Sequence, residues 1–153
     1  MNTHETIEFV LTYHKDIEQA IYEKRMDPNV PKTGGSNGHS RVSDPTCQKA
    51  LQNMAEVEAV EVFYGCKMSC RLTKPERWLE VARTTRLWFA DKLQGKLMDR
   101  KFKDVPERRK DICMELGIGT SLYSVMLNDI FCLASGIALG KGLIHAKEKS
   151  VRT

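Results

Sequence analysis

From Thr3 to Lys24, Ile7, Val10, Leu11, His14, Ile17 and Ile21 recur at three- and four-residue spacing, which predicts a single amphipathic helix with one apolar stripe. A lone helix cannot bury such a stripe, so it must pack on the rest of the chain or on a second copy of itself, and the second choice would make a homodimer. His14 lies on the stripe, where a hydrogen-bonded interface histidine is expected rather than a ligand or a catalytic base. Asp27-Pro28 ends the helix, and Asn29 to Ser43 carries Pro31, Gly34, Gly35 and Gly38 with almost nothing apolar, so residues 27–43 read as a flexible linker. The Gly34-Gly35 pair matches neither a P-loop nor a dinucleotide fingerprint, and no apolar strand precedes it.

Asp44-Pro45 supplies an acidic cap and a first-turn proline, predicting a short helix through about Met54. Between Val57 and Thr73 the period changes to two: Val60, Val62 and Tyr64 alternate with Glu61 and Phe63, Gly65 interrupts, and Met68, Cys70 and Leu72 alternate again. A small β-hairpin follows from that pattern, with a helix as the competing reading. Thr73-Lys74-Pro75-Glu76 has the form of a capping box. Beyond it Trp78, Val81, Ala82, Thr85, Trp88, Phe89, Leu93 and Leu97 keep helical spacing, predicting one long helix whose two tryptophans anchor a core.

Lys103 to Pro106 breaks the pattern, and Arg109 to Asn128 (RKDICMELGIGTSLYSVMLN) follows. Ile112, Cys113 and Leu116 form the inner face of a short helix, Gly117 sits where the chain must turn, and Ile118 plugs the corner. A second helix opens at Gly119 or Thr120, with Tyr123, Met126 and Leu127 or Ile130 facing inward. This is helix-turn-helix spacing. A residue between two steeply crossing helices is usually left-handed, which favours glycine, and the position four before it must be small, as Cys113 is. The outward side chains of the second helix, Thr120, Ser121, Leu122, Ser124, Val125 and Asn128, would then be presented to a major groove. These elements predict a mainly α chain: an N-terminal helix (1–26), the linker (27–43), and a helical DNA-binding domain (44–153) that holds the hairpin and a C-terminal helix-turn-helix bundle at about 107–135.

Charge sharpens the picture. The net charge is +4, yet residues 1–30 carry three Lys and Arg against six acids, whereas Glu76 to Lys110 carries eleven against six. A local excess of that kind suits a polyanion such as double-stranded DNA, and a solvated helix face would look the same. The second helix has no Lys or Arg and carries Asp129, so phosphate contacts would come from Arg100, Lys101, Lys103, Arg108, Arg109 and Lys110 upstream, leaving base reading to the helix. A hydrophobic share of 41% in 153 residues is enough for a packed core. Five cysteines, an odd number, and a start without a basic then apolar leader predict a reducing, cytoplasmic setting. The apolar run from Ile130 to Gly140 stops at Lys141, short of the roughly 20 residues a bilayer needs, so no membrane span is expected.

Catalytic chemistry is not predicted. Cys66 and Cys70 offer two thiolates, but His39 and Cys47 lie in or beside the linker and do not complete a zinc spacing, while Cys113 and Cys132 fall on helix faces read as inward. His4, His14, His39 and His145 have no matching acid or nucleophile motif. No catalytic residue, metal or cofactor is expected.

The chain resembles the RinA-like phage transcriptional regulators, whose C-terminal part is similar to region four of bacterial sigma factors. The likeness covers most of the chain and rests on PKTGG and VSDPT (Pro31 to Gly35, Val42 to Thr46), KPERWLEV (Lys74 to Val81) and ELGIGTSLYSVML (Glu115 to Leu127). It implies an all-α, phage- or prophage-encoded activator of late genes that recruits host RNA polymerase. The chain departs from that pattern at Gly119, where serine or threonine is common, and in the absence of basic residues from the second helix. Two other classes carry similar features: a DNA-packaging protein of the small-terminase kind, and an adaptor on RNA polymerase for which outward Leu122 and Val125 would suit a protein partner.

Overall fold

The computed structural model describes residues 1–26 and 55–145. The linker 27–43 and the helix expected from Asp44 to Met54 lie outside the described residues, as do His39 and Cys47. The described residues form six helices and one hairpin: α1 (Thr3–Thr12), α2 (His14–Met26), β1 (Ala59–Tyr64), β2 (Met68–Thr73), α3 (Pro75–Trp88), α4 (Leu93–Lys101), α5 (Arg109–Leu116) and α6 (Thr120–Gly140). The fold is mainly helical with a small antiparallel sheet.

The N-terminal stripe is divided between two helices rather than carried on one. Asn2 and Glu5 close a reciprocal cap at the start of α1, and the chain bends at Tyr13, whose amide still bonds the Phe9 carbonyl. No glycine or proline marks the bend. It serves the aromatic group there, in which the Phe9, Tyr13 and Tyr64 rings lie 4.8–5.3 Å apart. Ile7, Val10, Leu11, Ile17 and Ile21 are all buried in the same core as the C-terminal helices. The stripe is therefore covered from within the chain.

The alternation between Val57 and Thr73 is a hairpin. β1 and β2 pair antiparallel with Val60 opposite Leu72, Val62 opposite Cys70 and Tyr64 opposite Met68. Val60, Val62 and Leu72 bury their side chains, while Glu61 and Phe63 point to solvent. The turn uses left-handed backbone at Gly65 and Lys67.

Two expectations about the next segment are corrected. Thr73 is the last residue of β2, and the residue capping α3 is Lys74, itself left-handed and without a side-chain cap bond, so no capping box forms. Glu76 instead pairs with Arg25 and accepts the Val57 amide, tying α3 to α2 and to the entry of the hairpin. The long helix is also two helices. α3 stops at Trp88, and the chain turns through Phe89 to Lys92, with the Lys92 amide on the Phe89 carbonyl and the Gly95 amide on the Lys92 carbonyl. Trp78 is a core anchor, but Trp88 is 59% exposed and is not.

Arg86 holds the turned helices in place. Its guanidinium donates to the Leu11 carbonyl at 2.7 Å and the Phe102 carbonyl at 3.4 Å and reaches Asp99 at 3.5 Å, joining the C-terminal ends of α1 and α4 to α3. Burial pushes its pKa down, opposed by Asp99. α6 lies against α3, α1, α4 and α5, and its Ile130, Ala134 and Ala138 are fully buried. The apolar run is longer than the stretch from Ile130: α6 has 21 residues, and an 18-residue window within it has a mean hydropathy of 1.6, long and apolar enough to cross a membrane by length and composition, with a third of that window buried within the chain. Cys132, read as inward, is exposed.

Candidate nucleic-acid interface

α5 and α6 meet at a three-residue corner whose geometry follows from Gly117. Its backbone is left-handed, at φ 65° and ψ 37°, a region glycine enters without steric cost. The Gly117 amide bonds the Met114 carbonyl and the Ile118 amide bonds the Cys113 carbonyl, at 3.3 and 3.0 Å. This pair of bonds is a Schellman closure, and it consumes carbonyls that would otherwise be left unpaired at the end of α5. Ile112 and Cys113 are buried below the corner, and Leu116 and Ile118 pack against the core as half-buried side chains.

α6 then starts without a side-chain cap, because Gly119 occupies the N-cap. Its first amides keep their donor capacity, and the helix dipole places partial positive charge there. Tyr123, Met126, Ile130 and Phe131 turn into the core. Thr120, Ser121, Leu122, Ser124, Val125 and Asn128 are all exposed, which brings the six outward residues singled out in the sequence onto one accessible face. Asp129, also exposed, accepts from Gln94 at 3.5 Å.

The upstream cations divide into three groups. Arg100 is ion-paired with Glu107 and Glu115 at 3.3 and 3.1 Å, and Lys103 reaches Glu107 at 3.6 Å, so both are committed to carboxylates between α4 and α5. Arg109 is committed to α6: it donates to the Thr120 carbonyl at 3.2 Å and to the Ser124 hydroxyl at 3.4 Å, and its guanidinium lies 5.4 Å from the centre of the Tyr123 ring. Arg108 and Lys110 are exposed and Lys101 half-buried, and none of the three has an ion pair among the described residues. An open groove between α5 and α6 runs past Arg109, Lys110, Met114, Gly117 and Thr120.

The sequence reading missed the bracing use of Arg109. The signal was present in its spacing to Thr120 and Ser124, but reading it required the crossing angle of the two helices. Among the described residues, no three His, Cys, Asp or Glu side chains converge as a metal would need. Cys66 is exposed, and burial pushes the half-buried Cys70 thiol up. No protein-family model, curated protein or solved structure matches the chain.

Proposed function

We propose that this chain is a sequence-specific double-stranded DNA-binding regulator of transcription rather than an enzyme, acting in the cytoplasm of a bacterial host as a phage or prophage late-gene activator of the kind its sequence resembles. The observation that carries the proposal is the α5–Gly117–α6 corner, which leaves Thr120, Ser121, Leu122, Ser124, Val125 and Asn128 uncovered on the first turns of α6. A helix of that kind is the size of element a major groove admits. Arg108 and Lys110 at the start of α5, together with the uncapped amides of α6, would hold phosphates, and the outward face of α6 would read bases. Arg100 and Lys103 take little part, because binding a phosphate would cost them their carboxylate partners. RNA polymerase is the protein partner that the resemblance implies.

The test is fluorescence anisotropy with duplex DNA across a salt series. Each phosphate contact contributes about 0.9 to the slope of log affinity against log salt, so Arg108→Ala with Lys110→Ala should weaken binding and flatten the slope by about two. A double variant with the affinity and slope of the parent would overturn the assignment.

The adaptor reading is favoured by one observation: Met114, Leu122 and Val125 are exposed apolar side chains around the same corner. On that reading the purified chain binds RNA polymerase, and no duplex binds it even at low salt.

A further inference from the structure

We infer that the core of the operator read by α6 is A·T-rich and is recognised through thymine methyl groups, with little or no reading of guanine; this rests on the DNA-binding proposal above. Each base pair offers a different set of groups in the major groove. Guanine presents two acceptors, best met by Arg or Lys, cytosine presents a donor suited to a carboxylate, adenine presents the donor and acceptor that an amide matches, and thymine alone presents a methyl group.

α6 offers partners for only the last two. Its outward face has no Lys or Arg. The cation nearest that face, Arg109, is held on the Thr120 carbonyl, the Ser124 hydroxyl and the Tyr123 ring, so it does not extend toward a base. The Ser124 hydroxyl donates to the Thr120 carbonyl at 3.1 Å while accepting from Arg109, which occupies its proton. Asp129, the carboxylate that would seek cytosine, lies beyond Asn128 at the far end of the face and accepts from Gln94 with one oxygen at 3.5 Å.

What remains is apolar surface, one amide and the hydroxyls of Thr120 and Ser121, which can contact any base pair and so set no preference of their own. Leu122 and Val125 are 46% and 56% exposed and three residues apart, adjacent on one helix face. Asn128 follows one turn later, and among the described residues the one hydrogen bond to its side chain is a long one, 3.9 Å from the Cys132 thiol to Oδ1, which does not engage the amide nitrogen. From Thr120 to Asn128 the helix rises about 12 Å, or about four base-pair steps. The face therefore matches a short core in which thymine methyls meet Leu122 and Val125 and an adenine meets Asn128.

Charge supports the same occupant. From Thr120 to Asn128 the face carries no charge, Asp129 lying just beyond it, and Arg108 and Lys110, without an ion pair among the described residues, stand at the start of the neighbouring helix, where a flanking phosphate backbone would run.

The experiment is selection from a random duplex pool, followed by anisotropy on the selected site with each core dT replaced by dU, a change that removes only the 5-methyl group. An A·T core should emerge, and each dU in contact with Leu122 or Val125 should weaken binding about fourfold, the transfer free energy of one buried methyl. Leu122→Ala with Val125→Ala should bind the dT and dU sites alike while keeping the parent's salt slope. Both side chains are exposed, so the variant keeps the core intact, and circular dichroism verifies this. Selection of a G·C core, or equal affinity for dT and dU sites by the parent, overturns the inference and leaves DNA binding standing. Absence of any duplex binding at 50 mM salt, a probe condition on the order of that used for such slopes, overturns both.

Discussion

Gly117 and Gly95 both occupy places hostile to a side chain, for different physical reasons. At Gly117 a Cβ would meet nothing within 4 Å, so alanine there suffers only the left-handed backbone, a cost of about 1–2 kcal/mol. At Gly95 a Cβ would lie 2.1 Å from the Phe89 carbonyl oxygen, which is backbone and can yield only if the turn between α3 and α4 opens. Urea unfolding should therefore rank Gly95→Ala well below Gly117→Ala, by about 3 kcal/mol or more against the parent; the reverse order would show that the α3–α4 turn is not tightly closed. His14 makes a second residue-scale prediction. Burial, then the Arg86 guanidinium and then Lys15 hold its imidazole below the ordinary value of 6.5, against the opposing Leu11 carbonyl and Glu18. A histidine with a lowered folded pKa binds more protons when unfolded, so its contribution is complete above about 6.5 and declines as pH falls through that value toward the folded one. Thermal melts at pH 7.5 and 5.5 should show a smaller acid-induced loss for His14→Gln than for the parent, and equal losses would remove His14 from the explanation.

At the scale of elements, what could be read from the chain depended on whether the deciding interaction was local. The hairpin was legible because alternation assigns Val60, Val62 and Leu72 to one face whatever packs on it. The α5–α6 corner was legible because a left-handed glycine and its two closing bonds lie within six residues. Neither the bend at Tyr13 nor the turn at Phe89 was legible, since apolar residues keep three- and four-residue spacing on both sides and no proline or glycine lies within either break; Gly95, which the α3–α4 turn requires, sits inside the helical pattern beyond it. Glu76 looked like a cap from its spacing to Thr73 but is engaged by Arg25, far away in sequence, and a spacing rule cannot see that competitor. Arg109 supplies the prediction at this scale. Because its guanidinium joins the start of α5 to the first turn of α6, Arg109→Ala should lower duplex affinity by loosening the corner while leaving the salt slope unchanged, in contrast to the Arg108 and Lys110 pair. A slope that falls by about 0.9 in the same anisotropy titration would place Arg109 on a phosphate instead.

For the whole molecule, periodicity and composition were sufficient to specify a mainly helical chain, the position of its hairpin, the glycine corner near the C-terminus and the six side chains on the outward face of α6. Each of those follows from steric preferences and solvent exclusion acting over a few residues. Long-range packing settled the remainder: that the N-terminal stripe is covered by the C-terminal helices, that Trp88 stays at the surface while Trp78 is enclosed, and that, among the described residues, Arg100, Lys103 and Arg109 are tied to internal partners whereas Arg108 and Lys110 are not. Those outcomes turn on which distant groups compete for the same surface or the same charge, and that competition exists only once the helices have been brought together.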